Sequence, residues 1–94
     1  MRPSKLTAGE IELRAKETPG WELDGDVIRR TFKFQDFLQA MAFVNRLAEA
    51  AEGMQHHPDI DIRYDRVSLA LSTHDAGGLT AFDFDLAKAA DGLA

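Results

Sequence analysis

All three histidines of the chain lie in two short polar segments. His56 and His57 are adjacent in the segment 52–59, whereas His74 lies in the segment 72–78. Imidazole exchanges protons near neutral pH. If the two segments meet in the fold, the rings would gather at one site suited to general acid–base catalysis, in which one ring donates a proton and another accepts one.

Glu52 supplies a carboxylate close to the histidine pair. It precedes His56 by one helical turn, a spacing that brings two side chains within reach. A carboxylate beside an imidazole favours the charged ring and fixes its orientation. Two plainer interpretations stay open at this point. A single histidine in a turn is more often a surface residue, and Glu52 could be a solvated acid at a helix end.

Two other kinds of chemistry fit these residues less well. Three histidines with Asp59 as a fourth ligand would suit zinc, but adjacent histidines lack the i, i+4 spacing of helical zinc ligands, and the chain has no cysteine. Ser72 and Thr73 lack the glycine elbow that exposes a nucleophilic hydroxyl. We therefore predict no metal and no other cofactor.

The hydrophobic pattern predicts the element order α-ββ-α-ββ-α. Apolar residues three and four apart indicate helices, and alternating apolar residues indicate strands. The helices should cover about residues 8–17, 36–54 and 81–90, and the strands about residues 21–23, 27–34, 60–64 and 67–72. Because hairpin neighbours pair antiparallel, we predict an α+β fold, a four-stranded antiparallel sheet with three helices on one face.

Two helix starts carry capping boxes, in which a threonine and an acid three residues later bond to each other's backbone N–H groups. Thr7 and Glu10 form the first pair, and Thr80 and Asp83 form the second. On spacing alone, capping is the favoured role of Asp83.

The remaining signals concern packing and turns. Asp24 and Gly25 favour a tight hairpin turn. Phe43 lies beside the apolar stripe of the central helix, which indicates packing over a wide arc or against another subunit. Arg30 interrupts an apolar strand face, which indicates a place near the sheet edge. In the second hairpin the first strand begins after Pro58 and the second ends before His74, so antiparallel pairing would bring the two histidine segments together.

Bulk composition limits the classes of function. Ninety-four residues make one domain, residues 1–94. The net charge of −5 disfavours nucleic acid as a partner. No apolar run approaches the roughly 20 residues that span a bilayer, and no signal core follows the N-terminus. We expect a soluble cytoplasmic protein with no membrane partner.

The motif residues resemble the signature of the pterin-4a-carbinolamine dehydratases. That signature is an acid, three residues, His-His-Pro, and then an aromatic residue, a histidine and an aspartate at set intervals. The corresponding residues here are Glu52, His56, His57, Pro58, Tyr64, His74 and Asp83. The resemblance continues more loosely through Trp21 and covers nearly the whole chain. Ile60 departs from it, because the family commonly has tryptophan at this position.

The resemblance implies a hydro-lyase. Such an enzyme dehydrates 4a-hydroxytetrahydropterin (4a-hydroxytetrahydrobiopterin) to quinonoid dihydropterin and recycles the cofactor of aromatic amino acid hydroxylases. By this resemblance His56 and His74 form the acid–base pair, Glu52 orients His56, and His57 supports binding and catalysis. Asp83 is a further catalytic residue that could reach His74. The implied substrate-binding residues are Gln55, His56, His57, Pro58, Ser72, Thr73 and His74.

The resemblance also implies partners. The substrate would be a small pterin, and the protein would be a homodimer or homotetramer. The alternative function is a protein-interaction module that acts as a dimerisation cofactor of a transcription regulator. That role does not need the histidines, whereas catalysis does.

Overall fold

The computed structural model describes residues 4–94, which form three α-helices and one four-stranded sheet. In chain order the elements are α1 (Ala8–Lys16), β1 (Glu22–Asp24), β2 (Val27–Lys33), α2 (Phe37–Met54), β3 (Asp59–Arg63), β4 (Arg66–Leu71) and α3 (Ala81–Leu93). The predicted α+β class and element order are confirmed. No helix within residues 4–94 has the length and apolar character needed to cross a lipid bilayer.

The sheet has the order β1-β2-β4-β3, and every neighbouring pair is antiparallel. Ile28 and Phe32 of β2, with Val67 and Leu69 of β4, are buried on the face that the helices cover. Successive strand residues point to opposite faces. The alternate residues therefore form a second, more polar face, which we call the open face.

Phe43 is fully buried in the core of its own chain, which agrees with the predicted packing over a wide arc and does not need another subunit. Its ring centroid lies 5.0 Å from those of Phe32 and Phe34. Phe37, the first residue of α2, is 45% exposed. The buried residues of α2 are Ala40, Phe43, Leu47 and Ala51.

Arg30 lies on β2 just beyond the last residue that pairs with β1, so it stands near a local edge of the sheet, as predicted. Its guanidinium carbon is 4.5 Å from the centroid of the Phe32 ring. One Nη atom of Arg30 donates to Oδ1 of Asp91 at 2.8 Å, and the indole N–H of Trp21 donates to the same oxygen at 2.9 Å. A charge is tolerated on this face because a carboxylate pairs with it and an aromatic ring covers it.

Both hairpins close with two-residue turns. The first begins with Gly25, whose φ of 62° is readily adopted by glycine. The second begins with Tyr64, whose φ is 54°. Tyr64 therefore belongs to the turn and not to the predicted strand 60–64, because the register pairs Arg63 with Arg66.

Candidate active site

The histidine pair follows a left-handed turn at the end of α2. Gln55 has φ 53° and ψ 39°. The N–H of His56 donates to the carbonyl of Ala51 at 3.1 Å, the six-to-one bond of a Schellman motif. Pro58 disfavours helical backbone at His57. The chain thus leaves the helix abruptly, and the two imidazoles meet different partners.

His56 points into the protein beside α3. Its side chain is only 10% exposed, and Nε2 lies 2.6 Å from Oδ1 of the fully buried Asp83. The ring of Phe82 meets the imidazole edge-on, with centroids 5.7 Å apart. An ionised carboxylate only accepts hydrogen bonds. Opposite an ionised Asp83, a neutral His56 ring would carry its proton on Nε2 and keep a lone pair on Nδ1.

Asp83 caps α3 and holds His56 at the same time. Its Oδ2 atom accepts from the backbone N–H of Thr80 and from the hydroxyl of Thr73, each at 2.9 Å. Because Thr73 gives its proton to Asp83, it accepts from the hydroxyl of Thr80 at 2.8 Å. Among residues 4–94, every buried side-chain nitrogen or oxygen has a partner. Asp83 therefore bonds directly to His56 and not to His74, the partner that the resemblance implied for it.

Glu52 contacts His57 and not His56, which corrects the predicted pairing. Oε1 of Glu52 lies 2.6 Å from Nε2 of His57. The left-handed turn explains the difference, because it sends His56 inward and returns the next residue to the last turn of α2. The side chains of His57 and Glu52 are 62% and 71% exposed. The pair therefore stabilises the fold by at most about 1 kcal/mol, and its effect is to orient the ring.

A groove of about 510 Å³ lies over the open face and is lined by both His57 and His74. The pairing of β3 with β4 accounts for this, because Asp59 lies opposite Ala70. Continuing that register by two residues places His57 beside Ser72, and His74 follows two residues after Ser72. Residues from the two polar segments thus line one concave surface.

The turn that carries His74 is held by a hydrogen bond to the buried carboxylate of Asp83. Thr73 and Gly78 exchange backbone hydrogen bonds at 3.0 and 3.3 Å around a short 3₁₀ turn. Gly77 ends that turn with a φ of 77°. The hydroxyl of Thr73 donates to Asp83, which also binds His56. A continuous path of hydrogen bonds and one peptide link therefore joins the inner histidine to His74.

The other predicted binding residues have different surroundings. The side-chain amide of Gln55 donates to the carbonyl of Glu52 at 2.9 Å, which closes the end of α2. Ser72 lines the groove, and its hydroxyl donates to the carbonyl of Asp26 at 2.9 Å. Pro58 separates the histidine pair from β3. Thr73 is 9% exposed, and its hydroxyl donates to Asp83.

The groove is also lined by residues to which the sequence assigned no part in pterin binding. Arg29, Asp59, Asp61 and Ala70 all line it. Strand alternation could have identified them, because they share the open face with the histidine segments. Within residues 4–94, no group of three or more His, Cys, Asp or Glu side chains is arranged to hold a metal ion.

The fold and the site together define a class of protein. It is a small α+β domain in which two imidazoles line a groove, one of them bonded to a carboxylate, and a third imidazole is buried behind the groove. A sequence profile described as "Pterin 4 alpha carbinolamine dehydratase" matches residues 4–93. The chain belongs to this family.

Two relatives and two solved structures illustrate the similarity. A protein of Acidobacterium capsulatum is 57% identical over 96% of this chain and 98% of its own length, and one of Thermomicrobium roseum is 53% identical over 90% and 91%. Both have names that assign them to the pterin-4-alpha-carbinolamine dehydratases. A crystal structure of a transcriptional coactivator/pterin dehydratase from Brucella melitensis has a TM-score of 0.92 at 35% identity, covering 97% of this chain and 99% of that one.

The second structure is more distant. It is a pterin dehydratase-like protein identified as a RuBisCO assembly factor in the alpha-carboxysome, with a TM-score of 0.64 over 78% of this chain and 84% of that one. At 23% identity, it shows a shared fold only.

Proposed function

We propose that the groove dehydrates 4a-hydroxytetrahydropterin to quinonoid dihydropterin by histidine acid–base catalysis, and so recycles the cofactor of aromatic amino acid hydroxylases. The reaction breaks the bond between C4a and its hydroxyl oxygen and removes the proton from N5. Water leaves, a C4a=N5 double bond forms, and no electrons are exchanged with another reactant. One proton donor and one proton acceptor are sufficient.

The observation that carries this proposal is that His57 and His74 line the same groove. Glu52 accepts from Nε2 of His57, so the lone pair on Nδ1 can accept the N5 proton while the carboxylate stabilises the charged ring that results. His74 then donates to the departing hydroxyl. His56, which the sequence favours for proton transfer, is bonded to Asp83 behind the groove, and we assign it a positioning role.

The test is turnover of freshly generated 4a-hydroxytetrahydropterin, followed by the absorbance of the quinonoid product. We expect His57→Ala and His74→Ala each to lower kcat by about 10²-fold or more, as expected for a lost proton-transfer group. Both side chains lie in or beside turns, so the circular dichroism spectrum should not change. Asp65→Asn, in the β3–β4 turn away from the groove, is the matched control. Full activity in the double histidine variant would remove the proposal.

We further propose that the protein self-associates as a homodimer or homotetramer. The supporting observation is β3, the edge strand, in which every residue is exposed and Ile60 and Ile62 each remain 37% exposed. An unprotected edge strand can pair with a second chain. Light scattering should give more than one copy per particle, and Ile62→Lys should reduce that number. A monomer at micromolar concentration would refute this.

The same edge gives limited support to the alternative function. A strand edge that pairs with a second copy can also pair with a different protein, such as a transcription regulator. The Brucella melitensis structure is described as a transcriptional coactivator as well as a pterin dehydratase. A role of this kind would survive substitution of both groove histidines, which distinguishes it from catalysis.

A further inference from the structure

The side chains on the open face form rows that cross the sheet. One row consists of Asp59 on β3, Ala70 on β4 and Arg29 on β2, paired directly by the strand register. His57 and His74 lie toward one end of β4. The Asp59–Ala70–Arg29 row is two residues from His57, and hence roughly 7 Å from it along the strand.

The residues on the two sides of Ala70 in this row carry opposite charges. Asp59 and Arg29 lie one strand to either side of Ala70, so their Cα atoms are roughly 10 Å apart. The small Ala70 side chain leaves room for a flat ring between them, and all three residues line the groove. Nε of Arg29 contacts Asp24 at 3.3 Å. The described residues provide no ion pair to Asp59.

We propose that this row binds the amino-pyrimidinone edge of the pterin, with Asp59 as the residue that selects a 2-amino group. This proposal rests on the proposed function of the groove. A carboxylate accepts two hydrogen bonds, which matches the 2-amino group and the neighbouring N3–H. The guanidinium of Arg29 only donates, which matches the C4 carbonyl oxygen.

In the pyrimidinone ring, C2 lies directly across from C4a. A ring whose 2-amino group faces Asp59 therefore turns C4a across Ala70 and away from β3, while His57 and His74 line the groove toward the end of β4. Under this assignment Asp59 sets the choice of substrate, whereas the histidines carry the chemistry.

The experiment compares the binding of 6,7-dimethylpterin and 6,7-dimethyllumazine, which differ in a 2-amino and a 2-oxo group. Isothermal titration should show that the wild-type protein prefers the pterin by about tenfold or more, the size of one charge-assisted hydrogen bond. Asp59→Asn should bring this ratio to about one or below, because a carboxamide can also donate to a 2-oxo group. Arg29→Gln should weaken both ligands equally, since both carry the C4 carbonyl.

Asp61→Asn is the matched control, because Asp61 lies one row further from the histidines and contacts Arg63. It should leave the preference unchanged. A preference that survives Asp59→Asn, or that changes with Asp61→Asn instead, would overturn the assignment. If the wild-type protein also turns over the 4a-hydroxypterin, that result would refute the Asp59 assignment but not the proposed dehydration. Loss of preference in Asp59→Asn without any turnover by the wild-type protein would support the binding row and remove the proposed reaction.

Discussion

The substitution Asp83→Asn separates helix capping from the positioning of His56. The carboxylate of Asp83 is fully buried and accepts from His56, Thr73 and the N–H of Thr80. Asparagine has nearly the same shape, but one of its two terminal groups is an amide that donates. If its amino group takes the place of Oδ2, it opposes the N–H of Thr80 and the hydroxyl of Thr73. If it takes the place of Oδ1, Nε2 of His56 must give up its proton in order to accept from it.

The expected loss of stability follows from those contacts. A hydrogen bond to a charged group contributes about 1.5–3 kcal/mol, and a buried group left unpaired adds its own penalty. Two weakened bonds predict a loss of about 3 kcal/mol. For a domain of this size, that lowers Tm by roughly 12–24 °C. Because the amide no longer fixes the proton on Nε2 of His56, we also expect kcat to fall by about 10²-fold.

Glu10→Gln is the matched control, because α1 begins with the same capping box without a histidine. Glu10 is exposed and accepts from the N–H of Thr7 at 2.9 Å. The bonds from Thr7 lower the pKa of Glu10, so its small contribution is present above the pKa of the unfolded chain and is lost as the pH falls through the folded pKa. Calorimetry should show little change in Tm for Glu10→Gln at neutral pH. An equally small change for Asp83→Asn would show that Asp83 only caps its helix.

Two further substitutions test the fold apart from the groove. Asp91→Ala removes the acceptor shared by an indole and a guanidinium. Since Asp91 is partly exposed, we expect the free energy of unfolding to fall by about 2 kcal/mol and Tm by roughly 8–16 °C, with pterin turnover retained. An unchanged melting curve would contradict this. Tyr64→Asn places a residue that tolerates positive φ in the β3–β4 turn, and we expect thermal denaturation to show a gain of about 1 kcal/mol. A lower Tm would show that the turn is not strained.

Local patterns determined the elements of this chain. Hydrophobic spacing separates the helices from the strands, because a helix and a strand turn their side chains with different periods. Thr7 with Glu10 and Thr80 with Asp83 locate two helix starts, because the capping bonds span only three residues. The hairpin order implied antiparallel pairing of β3 with β4, and that pairing brings His57 and His74 to one groove.

Only the tertiary structure decided which partner each side chain meets. Glu52 is one helical turn from His56, yet the left-handed backbone at Gln55 brings His57, and not His56, into contact with Glu52. Asp83 was recognisable as a cap, but its bond to His56 spans 27 residues of sequence and depends on how α3 packs beside the end of α2. Spacing reports neighbours along the chain, whereas these contacts depend on a single left-handed residue and on the packing of distant helices, which no local pattern records.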